Sequence, residues 1–95
     1  MYTILLSRGF KRSFRKLQRS GHFRDAVKNH YKLVVTMLQK GGPLARVYRD
    51  HSLSGDFVAY RECHIKGDLL LVYQKREQER VITLVDIGSH SYIFG

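Results

Sequence analysis

Four ionisable side chains in three separated segments have the types needed to move protons around a phosphodiester. They are His51 in Asp50-His51, His64 and Asp68 in Tyr60-Arg61-Glu62-Cys63-His64-Ile65-Lys66-Gly67-Asp68, and His90 in Gly88-Ser89-His90-Ser91. Cleaving RNA through its own ribose needs one group to take the 2′-hydroxyl proton and another to protonate the departing 5′-oxygen. A cation must also meet the charge that builds on the phosphate. Histidine suits both proton tasks because its unperturbed pKa of about 6.5 lies near neutrality, and such help is worth ~10²–10⁴-fold. Arginine suits the third task through its planar fork of donors, and Arg61 lies within the middle segment.

Each residue also has a plainer reading. His64 at a strand end can hydrogen-bond to the adjacent turn, and Asp68 is a common turn residue. His90 can order a C-terminal loop, and His51 beside Asp50 can form a surface pair. Zinc is disfavoured because the spacing is irregular, with no His-x-x-x-His and no cysteine pair. Spacing alone therefore leaves these readings open.

The charge balance narrows the partner. Lys and Arg number 17 against 8 acidic residues, a formal net charge of +9 in 95 residues. Residues 1–50 hold 12 of the basic residues and only Asp25 and Asp50. Such an excess makes nucleic acid the first candidate partner, through phosphate attraction and counterion release; an acidic protein or an anionic membrane would also answer to it. The chain is expected to be a single domain over 1–95, cytoplasmic and without a cofactor. Its only cysteine, Cys63, excludes an internal disulfide and fits a reducing compartment. Apolar runs of four or five residues fall far short of the ~20 needed to span a bilayer. The acid-free first 24 residues raise the question of a transit peptide. Their removal would delete the first strand and helix, so they are expected to belong to the fold.

The elements that must position these residues follow from periodicity. Tyr2 to Leu6 is β-prone, and Ser7 can cap the helix after it. Phe10, Phe14 and Leu17 form one apolar stripe; at about 100° per residue, Lys11, Arg12, Arg15 and Arg19 fall opposite. That basic face is a solvated surface or an RNA-binding one. A second helix is expected from Phe23 to Lys40, stopped by Gly41-Gly42-Pro43. His22 and His30 read as structural or solvent-exposed. A long loop, 41–56, precedes expected strands at Phe57–Ile65, Leu69–Lys75 and Arg80–Ile87. Alternation in the first of these puts Tyr60, Glu62 and His64 on one face, with Ala59, Arg61, Cys63 and Ile65 on the other. Arg61 fits an apolar face only near an edge or a bulge. The expected fold class is α+β: a twisted antiparallel sheet with an N-terminal strand and two N-terminal helices on one face.

The segments Tyr60 to Lys66, Asp68, Leu70-Leu71-Val72-Tyr73, Gly88-Ser89-His90-Ser91 and Phe94, with Asp50-His51-Ser52-Leu53-Ser54-Gly55, resemble the YafQ-type branch of the RelE/ParE toxin superfamily. The specific motifs cover residues 43–95, and the first half agrees in its order of strand, helix and helix. The resemblance implies a ribosome-dependent endoribonuclease that cuts translated mRNA in the A site by 2′-hydroxyl attack, without metal. It implies a site of His51, His64, Asp68, His90 and Phe94. His90 would serve as acid with Asp68 as its proton-transfer partner, Phe94 would stack on the mRNA base, and Arg61 would meet the phosphate. It further implies a DinJ/RelB-like antitoxin, contact with ribosomal RNA, and operator DNA bound only through the toxin–antitoxin complex. Two departures stand out: Asp86 where the family commonly carries Arg, and Gly67 where Pro is frequent. Asp86 keeps open a catalytically weakened member acting through its partner. The ParE branch offers a non-enzymatic gyrase inhibitor as the other alternative.

Overall fold

The computed structural model describes all 95 residues. Five strands form one sheet in the order β1-β5-β4-β3-β2, with β1 at Thr3–Leu6, β2 at His51–Ser52, β3 at Arg61–Lys66, β4 at Leu69–Arg76 and β5 at Val81–Gly88. Helices α1 (Arg8–Arg19) and α2 (Asp25–Lys40) cover one face, and a short helix α3 (His90–Phe94) ends the chain. The expected class holds with one difference. The sheet is mixed, because β1 lies parallel to β5, Thr3 opposite Val81 and Leu6 opposite Leu84. Two helices between β1 and the rest of the sheet supply the long connection that parallel neighbours require.

Ser7 sets the junction of β1 and α1. Its Oγ accepts from the Phe10 amide at 2.9 Å, the expected cap, and donates to the Val85 carbonyl at 2.7 Å. The cap thus ties α1 to β5 as well as starting it. Phe14 then joins Phe10, Phe23 and Tyr31, with ring centroids between 4.9 and 5.4 Å, which binds α1 to α2. Gly41 ends α2 at φ 80°, and a Cβ there would meet the Tyr2 ring at 2.8 Å, so both backbone and packing demand glycine. The Tyr48 hydroxyl shares a 2.8 Å hydrogen bond with His30 Nδ1, which makes His30 a structural histidine holding the loop to α2. No helix is long and apolar enough to cross a membrane.

The core lies between the helices and the sheet. Cys63, Ile65, Leu71, Tyr73, Ile82, Leu84 and Ile87 point into it from β3, β4 and β5, meeting Phe10, Val34 and Leu38. The β3–β4 pairing slips near Ile65, before the Gly67 turn, and β4–β5 slips at the Val72/Tyr73 step. Residues 57–60, expected to begin the first long strand, are not strand: Phe57 closes a 3-10 turn over Gly55–Phe57, and the strand starts at Arg61. The Leu53 amide donates to the Tyr60 carbonyl at 3.0 Å, folding this stretch back so that His51 and Ser52 pair with Glu62 and Arg61.

Burial pushes the Cys63 thiol up to about 12, aided by the negative charges of Asp50 and Glu62. Its ordinary value is 9.0, so the neutral thiol is the folded-state form, and its contribution to stability is complete below pH 9. That contribution is lost as pH rises towards 12. At pH 8, alkylation of Cys63 should therefore track global unfolding, with rates set by denaturant in parallel with the loss of far-ultraviolet circular dichroism.

Candidate nucleic-acid-cleaving face

The sheet face turned away from α1 and α2 brings His51 and His64 together. His51 and Glu62 are direct cross-strand partners on β2 and β3, and His64 follows Glu62 by two residues on the same face. The His51 and His64 rings lie 6.3 Å apart, centroid to centroid. His51 Nδ1 is 2.7 Å from the Arg49 carbonyl. A carbonyl only accepts, so Nδ1 carries a proton and Nε2 is the nitrogen presented to the site. Nε2 stands 3.3 Å from Glu62 Oε2, the histidine half-exposed and the carboxylate buried. Residue type alone does not single out Glu62; its place two residues before His64 on one face is the available signal.

The other wall is aromatic. Ser89 caps α3 by accepting from the Tyr92 amide at 3.1 Å, which sets His90 at the first position of that helix. His90 packs on Phe94 at 5.1 Å, Phe94 on Phe57 at 5.7 Å edge-to-face, and Phe57 approaches Tyr60 at 6.4 Å. This row leads back to the start of β3. Phe57 carries no signal in the sequence, because its exposure depends on a turn that local pattern does not announce. Between the walls, His64 and Gly88 both stand opposite Leu70, the one on β3 and the other on β5. His51 and His90 are exposed and His64 half-buried, whereas Glu62, Leu70 and Val72 on the same face are buried.

Not every expected residue joins this group. Asp68 sits exposed at the β3–β4 turn and lines a cleft with Lys66, His22, Gly88 and Ser89, next in sequence to His90 but away from His51. Lys11, Arg12, Arg15 and Arg19 are exposed on α1, on the helix side of the sheet, away from His51 and His64. Arg61 alternates with Glu62 and belongs to the helix side. Its guanidinium bonds the Asp50 carboxylate at 3.0 Å and the Ser52 hydroxyl at 2.7 Å, so it does not face the place where a phosphate would meet the histidines. Arg61 lies at neither an edge nor a bulge, since it pairs with Ser52 on β2 and Tyr73 on β4; its bonds to Asp50 and Ser52 accommodate it on the apolar side.

Asp86 is likewise engaged. Its Oδ1 accepts from Ser13 Oγ of α1 at 2.6 Å and from the Ile87 amide at 2.8 Å. Ser13 Oγ also lies 3.1 Å from the Tyr92 hydroxyl, and Lys16 Nζ stands 4.7 Å above the Tyr92 ring. The carboxylate thus fastens α1 to the helix that carries His90, where the sequence suggests only a misplaced negative charge near the site.

A mixed sheet with two helices on one face and a histidine–aromatic surface on the other defines a RelE-like α+β protein. Residues 2–95 match the profile of the family described as a bacterial toxin of type II toxin–antitoxin systems, YafQ, and the chain belongs to that family. It is 30% identical over 91 residues to the mRNA interferase toxin YafQ of Escherichia coli K12, covering 85% of this chain and 97% of that protein. A metal-bound toxin from Helicobacter pylori superposes with a TM-score of 0.86 at 42% identity, covering 99% of this chain and 100% of the other. A chain of the E. coli DinJ–YafQ complex superposes with a TM-score of 0.83 at 27% identity, over 100% of both chains. In the present chain no three His, Cys, Asp or Glu side chains are grouped so that they could hold a metal ion.

A Cβ on Gly88 would approach Tyr92 Cδ2 to 2.5 Å. The substitution Gly88→Ala should therefore push Tyr92 off Ser13 and loosen α3. Hydrogen exchange at the Tyr92 to Phe94 amides is expected to quicken roughly tenfold, about 1.4 kcal/mol of local opening, with the β4 amides unchanged.

Proposed function

We propose that this toxin is an endoribonuclease that cleaves translated mRNA in the ribosomal A site. The observation that carries the reading is the grouping of His51, Glu62 and His64 on one sheet face, with His90, packed on Phe94, two residues beyond the Gly88 that β4 places across from His64. The E. coli relative's name as an mRNA interferase supports it. In the proposed step Asp68, or a histidine in its place, accepts the ribose 2′-hydroxyl proton. The 2′-oxygen forms a bond to the adjacent phosphorus, and the bond from phosphorus to the 5′-oxygen breaks. His90 gives its proton to that oxygen, leaving a 2′,3′-cyclic phosphate and a 5′-hydroxyl. His51 and His64 hold the phosphate oxygens, with Glu62 balancing His51 when its ring is charged. Phe94, propped by Phe57, stacks on a base, an interaction worth ~1–3 kcal/mol.

The basic face of α1 has a separate task. Lys11, Arg12, Arg15 and Arg19 lie on the helix layer, so they suit contact with ribosomal RNA phosphates while the opposite face meets mRNA. The E. coli relative crystallises with DinJ, and a DinJ/RelB-like antitoxin is the matching partner here, with operator DNA bound through that complex.

Primer extension on mRNA after induced expression tests the reaction. His90→Ala should reduce cleavage by at least ~10²-fold, because the leaving oxygen loses its acid; unchanged cleavage sinks the assignment. Inhibited DNA supercoiling with intact mRNA would point to gyrase instead. Replacing Arg12 and Arg15 with Gln should raise KM and flatten its salt dependence, with the logarithmic slope falling by roughly 0.7–0.9 for each phosphate no longer neutralised. Titrating cleavage against KCl measures that slope.

A further inference from the structure

We infer that Arg61, acting with Asp50 and Tyr73, is a positioning residue for His51, an inference that rests on the RNA-cleaving function proposed above. His51 lies on a strand of two residues at the sheet edge, where backbone pairing alone gives little hold. Its neighbours are gripped from the other side. Arg61 NH2 and Nε reach Asp50 Oδ2 and Oδ1 at 3.0 and 3.4 Å, and NH1 reaches Ser52 Oγ at 2.7 Å. One planar guanidinium therefore spans the residue before His51 and the residue after it.

Asp50 is in turn anchored in the core. The Tyr73 hydroxyl donates to Asp50 Oδ1 at 2.5 Å, and Tyr73 is buried between sheet and helices. In extended chain successive side chains point to opposite faces. With residues 50 and 52 held to the helix side, residue 51 must project to the other, where Glu62 waits. The Arg49 carbonyl, turned by a φ of 46°, then fixes the rotation of the ring through Nδ1. Two constraints thus determine where Nε2 points, and both originate outside the histidine face.

The same contacts remove Arg61 from phosphate binding. The hydrogen bond to Asp50 is the largest cause holding the guanidinium above its ordinary pKa, and burial, then the Asp50 bond, raise the Tyr73 phenol. A substrate phosphate would have to displace a carboxylate already bonded by both groups. The guanidinium also opens towards a cleft bounded by Gly42, Leu44 and Lys75, on the side away from His51.

The test uses the full chain with translated mRNA in a reconstituted translation system. Asp50→Asn, Arg61→Gln and Tyr73→Phe should each lower kcat by up to about 10²-fold, since small misplacement of a reacting group costs that much. KM should stay within about twofold, because no group that touches RNA is removed. The Asp50→Asn/Arg61→Gln double variant should be no worse than the poorer single one, as expected of one coupled network. Tyr73→Phe keeps the buried ring and so reports on the network even where the charge variants fold poorly. In ¹⁵N spectra the His51 ring should lose its fixed tautomer in all three variants, while His90 keeps its own signature. A raised KM in Arg61→Gln, with Asp50→Asn fully active, would overturn the inference in favour of a phosphate ligand. An unchanged His51 tautomer would also overturn it. That spectrum requires no turnover, so it separates this inference from a failure of the cleavage reaction itself.

Discussion

The two-residue period of β3 and β4 is the constraint on which the molecule depends. A chain of this length has one sheet, and that sheet must both seal the core and display a reactive surface. Cys63, Ile65, Leu71 and Tyr73 take the helix side and leave Glu62, His64, Leu70 and Val72 for the other. A slip of one residue would send His64 into the core and Cys63 to solvent, so register and function are specified by the same alternation. The irregularity near Ile65 leaves the faces of β4 unchanged, whereas the one at the Val72/Tyr73 step inserts Val85 and shifts the core-facing set of β5 from Ile82 and Leu84 to Ile87.

Carboxylates are scarce in this basic chain, and three of them act as internal struts. Glu62 backs His51, Asp50 joins Arg61 to Tyr73, and Asp86 joins Ser13 to its own strand. Each is at least partly shielded from water, where a charge-assisted bond is stronger than on an open surface. The positive excess of α1 stays unpaired and exposed, on the opposite side of the sheet from His51 and His64. The molecule thus separates the charges that order it from those that attract a polyanion.

Much of this is readable from local chemistry. The Ser7 cap, the Phe10-Phe14-Leu17 stripe, the stop at Gly41 and the hairpin through Gly67 are signals complete within a few residues. Pairing partners are not readable, since nothing in Thr3 to Leu6 says that its neighbour will be the last strand or that they will run parallel. Phe57, Val58 and Ala59 look like strand, and the turn bonds of the Phe57, Val58 and Tyr60 amides, closed by the Leu53–Tyr60 bond, turn them away from it. His51–Ser52 is too short to show a period at all. The histidines stand out by type. Glu62 does not, because a carboxylate on a half-exposed strand usually faces water, and Asp86 finds Ser13 only once α1 has docked.

The pairing of β1 with β5 has a temporal consequence. A growing chain makes Thr3 to Leu6 long before Val81 to Leu84, so β1 has no partner in the sheet until β5 has been synthesised. Until then Leu5 and Leu6 wait beside a helix whose cap, Ser7, lacks the Val85 carbonyl it will bind. Such long-range closure slows folding. It also means that the helix bearing His90, which follows β5 directly, emerges with the strand that completes the sheet, so a chain interrupted before β5 lacks both.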